Sequence, residues 1–235
     1  MTGIWTLLSH ESLLWITATV AAFFLGDTIA RASGRHAAVN PVLIAVVVIV
    51  ALLLLTGTDY DTYFEGAQFI HFLLGPATVA LALPIRDNLH HVRRALLPLA
   101  AALVAGSVTA AVSAVGIAWA LGLRPDILAS LAPKSATAAV AVGISETIGG
   151  IPTLTAGLVL ITGMTGAIIV TPLMNALGIR DWRARGFAVG IAAHGIGTAR
   201  ALQVNPIAGA FAGLGMGLNA ILTAFVAPWA LGLFR

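Results

Sequence analysis

The most unusual polar residue of the chain is Lys134, which lies inside the small, apolar run SLAPKSATAAVAVGISETIGG. A lysine held in lipid costs about 2.5–3.5 kcal/mol on insertion scales, so it is expected to face a cavity or a partner. Pro133 suits the first turn of a helix, where free amides and the positive end of the dipole attract an anion. With the hydroxyls of Ser135 and Thr137, the pattern predicts an anion site. The alternatives are that Lys134 reaches the membrane surface or pairs with Glu146.

A second polar cluster occurs in GIAAHGIGTARAL, where His194 and Thr198 are four residues apart and share one face of a helix. The planar guanidinium of Arg200 suits a carboxylate, and His194 can donate a hydrogen bond or relay a proton near neutral pH. Gly195 and Gly197 predict a break in the helix. The alternatives place Arg200 at the membrane surface and make His194 a structural histidine of the interior.

Two further stretches contribute threonines. In GPATVALALP, Pro76 predicts a helix break and Thr78 is a candidate ligand, while His71 upstream is expected to hydrogen-bond a neighbouring helix. In GGIPTLTAGLVLITGMTGA, threonines among small residues are explained by close helix packing as readily as by substrate contact. Packing is favoured for Thr162 and Thr165.

The elements that must carry these residues are membrane helices, because 59% of the 235 residues are hydrophobic and 9% are charged. The run VLIAVVVIVALLLL, with its neutral flanks, approaches the roughly 20 residues that a helix needs to cross hydrocarbon. Unpaired backbone groups are costly in lipid, and apolar segments of about 20 to 30 residues without alternation exclude a barrel. The prediction is an all-α integral membrane protein, organised as a single membrane domain over residues 1–235.

Apolar runs between polar or Gly/Pro punctuation predict seven or eight transmembrane segments. Their bounds are about 11–30, 39–57, 62–85, 95–122, 127–147, 151–177, 184–202 and 206–233. The loops after the first, third and sixth segments are basic, so the positive-inside bias places all three in the cytoplasm. If all eight segments crossed, the basic loops after the third and the sixth segments would lie on opposite sides of the membrane. One segment between them is therefore expected not to cross. The short fifth segment, with Pro133 and Lys134, is the best candidate for a re-entrant helix.

With one segment that does not cross, the third segment runs from outside to inside and the seventh from inside to outside. GPATVALA from Gly75 and GIGTARAL from Gly195 both have a glycine followed three residues later by a threonine. Two interrupted segments at corresponding places in oppositely oriented halves are typical of inverted-repeat transporters with a site near the midplane. The halves are expected at about 1–122 and 123–235.

The sequence contains no motif that is typical of an enzyme, a metal site or a cofactor site. No paired histidines stand near a carboxylate, no serine lies in a nucleophile elbow, and the Gly-rich stretches lie inside membrane segments. A hydrolase using Ser135 and Lys134 is disfavoured, because adjacent helical residues do not face each other. The net charge of +3 comes from basic loops, so nucleic acid is not an expected partner.

Four motifs, SLAPKSATAAVAV, GGIPTLTAGLVLITGMTGA, GIAAHGIGTARA and FLLGPATVALALP, resemble the LrgB/CidB family of membrane proteins. The resemblance covers roughly residues 60–225. Members were named as antiholin-like regulators of murein hydrolases and autolysis, and related proteins include the plastidic glycolate/glycerate translocator and bacterial proteins linked to pyruvate uptake. Ala138 and Ala139 stand where many members have Thr-Pro, and Ala193 stands where a serine commonly precedes the histidine. Fewer hydroxyls could alter substrate preference.

The resemblance implies a secondary transporter of small monocarboxylates, of the glycolate, glycerate, lactate or pyruvate type, that works by alternating access with exchange or proton coupling. Lys134 and Arg200 would neutralise the carboxylate. The hydroxyls expected to bind the substrate are those of Thr78, Ser135, Thr137 and Thr198. The alternative is a holin/antiholin-like protein that regulates murein hydrolase release and autolysis.

Partners and location follow from the same reasoning. We expect a multi-pass protein of the bacterial inner membrane that forms a homo-oligomer, with a dimer favoured. A small LrgA-like membrane partner is implied by the resemblance alone, and no cofactor is expected.

Overall fold

The computed structural model describes residues 12–36, 39–73, 76, 86 and 89–234. Every regular element in that part of the chain is an α-helix. The chain divides into two compact units, Met1–Ala80 and Leu81–Arg235.

Four helices among the described residues are long and apolar enough to cross a membrane. They are Ser12–Ala32, Leu96–Ala120, Pro152–Ala176 and Pro206–Gly232. The prediction of an all-α, multi-pass membrane protein is therefore confirmed, and the count of seven or eight spanning segments stays a prediction.

The first unit contains α1 (Ser12–Ala32), α2 (Pro41–Thr56) and α3 (Tyr60–Phe72). α1 and α2 approach closely at Gly26, where a Cβ atom would lie 2.5 Å from the carbonyl oxygen of Pro41. Trp15 of α1 is fully buried against Gly66 of α3, and its ring meets the Tyr63 ring edge-on with the centroids 5.5 Å apart. Small residues thus let both neighbours pack closely on α1.

The second unit contains α4 (Leu89–Arg94), α5 (Leu96–Ala120), α6 (Pro125–Leu131), α7 (Ala138–Ile148), α8 (Pro152–Ala176), α9 (Trp182–Val204) and α10 (Pro206–Gly232). Proline occupies the first turn of α6, α8 and α10, where its missing N–H needs no partner. These helix starts therefore follow directly from the sequence.

α6 and α7 fold back on each other and form what we call the first hairpin. Leu128 and Ala132 share a buried cluster with Ile144, and Ile148 packs against that cluster. The chain reverses through a run of turns over residues 132–137. The fifth segment of the sequence therefore folds back on itself.

The break at Pro133 is present, but its position relative to the helix differs from the prediction. Pro133 is fully buried within the turns and does not open a helix. α7 begins at Ala138, with Thr137 as its N-cap residue. The free amides of the helix start consequently lie after Lys134, not around it.

α9 is also folded back and forms the second hairpin. Its backbone leaves the helical region at Ala193 (φ −130°, ψ 16°) and His194 (φ 40°, ψ −133°). Beyond this break the helix returns along its first half, because a Cβ atom on Gly197 would lie 2.8 Å from Cγ2 of Val189. Its first and last residues line one common cleft.

The second hairpin corrects two predictions. The seventh segment was expected to cross from inside to outside, but the folded-back α9 starts and ends at the same side of the unit. The helix break was expected at Gly195 and Gly197, but it lies just before them, at Ala193 and His194. Gly197 instead provides room for the two halves of the hairpin to touch.

α8 and α10 run in opposite directions. The start of α8 lies beside the first hairpin, because the hydroxyl of Thr155 donates to the carbonyl oxygen of Ser130 at 3.2 Å. The end of α10 lies there too, since Leu231 shares a cluster with Leu128. The end of α8 and the start of α10 line the cleft at which the second hairpin opens. The two hairpins thus open toward opposite ends of the unit.

Candidate functional site

The tips of the two hairpins meet at the middle of α10. The side-chain amide nitrogen of Asn219 donates to the carbonyl oxygen of Ser135, 3.0 Å away in the turn of the first hairpin. It also donates to the carbonyl oxygen of Ile191, 3.1 Å away near the tip of the second hairpin. One residue of a spanning helix therefore holds both reversals of the chain.

Asn219 is a site residue that the sequence analysis missed. It is 1% exposed, and its side-chain oxygen accepts a hydrogen bond from Ser107 Oγ of α5 at 2.5 Å and a longer one from Thr223 Oγ1 at 3.4 Å. The available signal was an asparagine in the otherwise apolar run GLNAILTAF, four residues before a threonine. A polar amide within a membrane helix is costly unless every group is paired.

Lys134 lies in the turn of the first hairpin with its side chain partly buried. Its Nζ is 3.5 Å from Ser135 Oγ, which is a weak contact. No ion pair to Lys134 occurs among the described residues, and Glu146, the alternative partner, is exposed. Lys134 is also the only lysine of the chain. A partly buried cation without a carboxylate counterion in the described part of the chain is suited to an anionic ligand.

His194 forms the tip of the second hairpin and is 4% exposed. Its Nε2 lies 2.9 Å from the carbonyl oxygen of Val159 in α8. Gly163, one turn further along α8, leaves room for the ring, because a Cβ atom there would lie 2.6 Å from Cε1. Val159 also shares a buried cluster with Ala136, two residues after Lys134 in the turn of the first hairpin. The structure therefore brings these two predicted residues into one neighbourhood.

The backbone of His194 is strained. A positive φ is rare for a residue with a side chain, and such conformations cost about 1–3 kcal/mol and cluster at functional sites. Thr198 stabilises the return of the chain, since its Oγ1 donates to the carbonyl oxygen of His194 at 2.8 Å. The hydroxyl proton of Thr198 is thus used within the hairpin and is not directed at a ligand.

Two helix starts lie at the tips. α7 begins after Thr137, whose partly buried side chain makes no capping hydrogen bond. The second half of α9 begins after His194. The first amides of a helix have no partner within it, and they carry the positive end of its dipole. Both starts and Lys134 therefore make the same region favourable for negative charge.

Arg200 lies away from the tips. It is about 9 Å along the helix axis from His194 and lines an open cleft of about 310 Å³ with Arg185 and Trp182. The guanidinium of Arg185 stacks over the Trp182 ring at 5.0 Å. The two basic residues predicted to neutralise one carboxylate thus lie in different hairpins, Lys134 in the turn of the first and Arg200 near the open end of the second.

The remaining predicted residues lie mostly outside the described part of the chain. This applies to Thr78 and to the side chain of His71, and only the exposed Pro76 is described in that stretch. In α8, Thr162 is partly buried and Thr165 is exposed, so close packing does not account for Thr165.

A buried hydroxyl cluster fixes the open end of the first hairpin. Thr155 Oγ1 lies 2.7 Å from Ser145 Oγ and 3.2 Å from the carbonyl oxygen of Ser130. The backbone N–H of Ile151 donates to Ser130 Oγ at 2.8 Å. All three hydroxyl residues are fully buried, so the first hairpin is joined to α8 through satisfied polar groups.

The start of α9, outside the membrane-spanning helices, contains a carboxylate with a lowered pKa, that of Asp181. Asp181 caps the helix by accepting the Arg183 backbone N–H at 2.8 Å. The guanidinium of Arg183, which also hydrogen-bonds the carboxylate, lowers the pKa of Asp181 below its ordinary value. Within the described residues, no group of three or more His, Cys, Asp or Glu side chains is arranged to hold a metal ion.

Comparisons of the chain with a family profile and with individual relatives agree on one family. The profile of the LrgB-like family matches residues 19–233. The uncharacterized protein YxaC of Bacillus subtilis is 35% identical over 195 residues, 83% of this chain and 85% of the relative. The holin-like protein CidB of Staphylococcus epidermidis is 30% identical over 224 residues, 95% of this chain and 97% of the relative. An uncharacterized protein of Haemophilus influenzae is 31% identical over 216 residues, 92% of this chain and 93% of the relative. No solved structure matches the chain significantly.

Proposed function

Because the chain belongs to the LrgB-like family, we propose that it is a secondary transporter of small monocarboxylates, of the glycolate, glycerate, lactate or pyruvate type. The observation that carries the proposal is the meeting of two hairpin tips at Asn219, next to a partly buried lysine with no carboxylate partner among the described residues. Broken helices near the midplane, with helix starts directed at an anion, are the typical substrate site of such transporters.

The proposed binding roles follow the positions of the side chains. Lys134 neutralises the carboxylate, and Ser135 and Thr137 donate to it or to a 2-hydroxyl group. His194 donates to the substrate or relays a proton. Such donors reject analogues that lack one polar group, because buried site groups would then remain unpaired.

Arg200 and Thr198 receive more limited roles in this proposal. Arg200 attracts the acid at the cleft before the acid reaches the tips, since long-range attraction does not need direct contact. Thr198 holds the backbone of His194 in place. A contact of Thr78 with the substrate, together with a helix break at Pro76, stays part of the proposal on the sequence pattern alone.

Alternating access is proposed to use oppositely oriented elements. The first hairpin with α8 and the second hairpin with α10 have the same order of parts, and they open toward opposite ends. Movement of one pair against the other would expose the tips to one side at a time. The wider inverted repeat, with halves of about 1–122 and 123–235 in a single domain, remains a proposal on the sequence pattern.

The cycle is proposed to run by exchange or by proton symport in the bacterial inner membrane. A homo-oligomer, with a dimer favoured, and a small LrgA-like membrane partner complete the proposal. The small partner comes from the family resemblance alone, and the other features are expectations from the sequence.

A second candidate is a holin/antiholin-like protein that governs murein hydrolase release and autolysis. The observation that favours it is the printed name of the relatives in Staphylococcus, "holin-like protein CidB". The comparisons support this candidate by name, whereas the site geometry supports transport.

Purified protein in liposomes separates the two candidates. The liposomes contain a trapped fluorescent dye and, in one arm, unlabelled glycolate, and labelled glycolate is added outside. A transporter gives saturable uptake that internal glycolate accelerates, and it retains the dye. Release of the dye together with uptake that does not saturate would favour the holin-like protein and remove the transport proposal.

A further inference from the structure

We propose that Asn219 is a clamp that holds the two hairpin tips together, and that one of its two hydrogen bonds opens whenever the site faces one side of the membrane. The role of the clamp in a cycle rests on the proposed transport function. The clamp itself rests on contacts within the second unit.

The amide group of Asn219 is matched to this task. An asparagine NH₂ has two donors, and here one bonds the carbonyl oxygen of Ser135 and the other that of Ile191. Both acceptors are backbone atoms, so the bonds depend on where each tip lies and not on which side chains it carries. With both donors used and the residue 1% exposed, no donor of Asn219 is left for a ligand.

The orientation of the amide is fixed from the other side. Ser107 Oγ donates to Asn219 Oδ1 at 2.5 Å, so the NH₂ group points away from Ser107 and toward the tips. A flipped amide would turn its oxygen toward the two carbonyl oxygens and lose both hydrogen bonds to the tips. Because Ser107 and Asn219 lie on the spanning helices α5 and α10, the clamp is anchored outside both hairpins.

Because the two hairpins open toward opposite ends, each tip can move away from Asn219 separately. Departure of the first tip breaks only the bond to Ser135, and departure of the second tip breaks only the bond to Ile191. One bond then keeps the other tip in place. The state with both bonds is closed on both sides, so loss of the donors should raise the population of open states.

Single-cysteine labelling tests the clamp directly, because the natural chain has no cysteine. Ser135→Cys and Thr198→Cys report separately on the two tips, since both residues are buried. Each reporter is reacted with a membrane-impermeant maleimide in liposomes without any carboxylate. Asn219→Leu should raise both labelling rates by about tenfold or more, because each tip loses a buried hydrogen bond.

Matched variants separate the clamp from a general loss of structure. Asn219→Asp keeps the size and the acceptor for Ser107 but removes the NH₂ group, so it should raise labelling as Asn219→Leu does. Ser107→Ala keeps both donors and should change labelling by less than about threefold. Val115→Cys, at a fully buried position near the open end of the first hairpin, should stay protected in every background.

Unchanged labelling of Ser135→Cys and Thr198→Cys in the Asn219 variants would overturn the clamp. An increase in Val115→Cys labelling as large as that of the two tip reporters would also overturn it. Labelling that rises as expected supports the clamp even if no carboxylate flux is found, in which case the proposed transport function fails alone. Normal flux with unchanged labelling removes the clamp and leaves the transport proposal intact.

Discussion

The imidazole Nε2 of His194 lies 2.9 Å from the carbonyl oxygen of Val159. The tip of the second hairpin is therefore fixed to α8, the helix that follows the first hairpin. α8 is packed closely here, because a Cβ atom on Gly163 would reach within 2.8 Å of the same Nε2. The position of the ring is therefore set by a hydrogen bond and by the absence of a side chain on α8.

Gly163→Ala should displace the His194 ring and reduce glycolate uptake by about tenfold or more, because a shift of about 1 Å at a site can cost that much or more. Gly157→Ala is the matched control on the same helix, since nothing lies within 4 Å of its added Cβ atom. Uptake kinetics in liposomes measure both variants. Equal uptake by the two variants would show that the ring position is not critical.

The positive φ of His194 predicts different effects for two small substitutions. His194→Ala keeps the strained backbone conformation, whereas glycine adopts a positive φ without that cost. Both variants lose the ring and should lose uptake, but His194→Gly should be more stable than His194→Ala by about 1 kcal/mol. Thermal unfolding in detergent measures the difference. A glycine variant no more stable than the alanine variant would argue against strain at this tip.

The hydroxyl cluster predicts a large effect of Thr155→Val. This substitution keeps the shape of the side chain but leaves Ser145 and Ser130 with fewer partners, and buried unsatisfied groups cost about 1–3 kcal/mol each. The exposed Thr165 on the same helix serves as the control, and Thr165→Val should be nearly neutral. Equal melting temperatures for the two variants would contradict a stabilising role of the cluster.

Asp181 predicts a pH dependence of stability. Its folded-state pKa is lowered by Arg183, so its contribution is present above the ordinary aspartate pKa and is lost as pH falls through the folded-state value. At neutral pH, Asp181→Ala should destabilise the protein by about 1 kcal/mol through loss of the cap. Asp181→Asn keeps a capping oxygen and should cost less. Melting curves at neutral and acidic pH check that the difference between wild type and Asp181→Ala shrinks in acid.

Local features of the sequence indicated where helices are interrupted. The lysine next to a proline in an apolar run predicted the interruption in the first hairpin, and the glycines after His194 predicted a break close to the one at the tip of the second hairpin. Charges and helix breakers in apolar segments are costly, so they indicate special surroundings without knowledge of the partners.

Other features depend on packing and could not be inferred from the sequence. An apolar run of about 20 residues has the same length whether it crosses once or folds back, so the sequence predicts a crossing helix where the structure has the second hairpin. That reversal separated Arg200 from the tips. Asn219 gave only a weak signal, because an asparagine in a membrane helix does not reveal which carbonyl groups it meets.

In the proposed transporter, Lys134 receives the carboxylate of a small organic acid. This role is tested by comparing glycolate uptake by Lys134→Ala with uptake by Arg124→Ala, since Arg124 is an exposed cation paired with Asp126. We expect saturable uptake by wild type and Arg124→Ala, and a loss of at least about tenfold in Lys134→Ala through removal of a charge-assisted hydrogen bond. Equal, saturable uptake by all three proteins would contradict it.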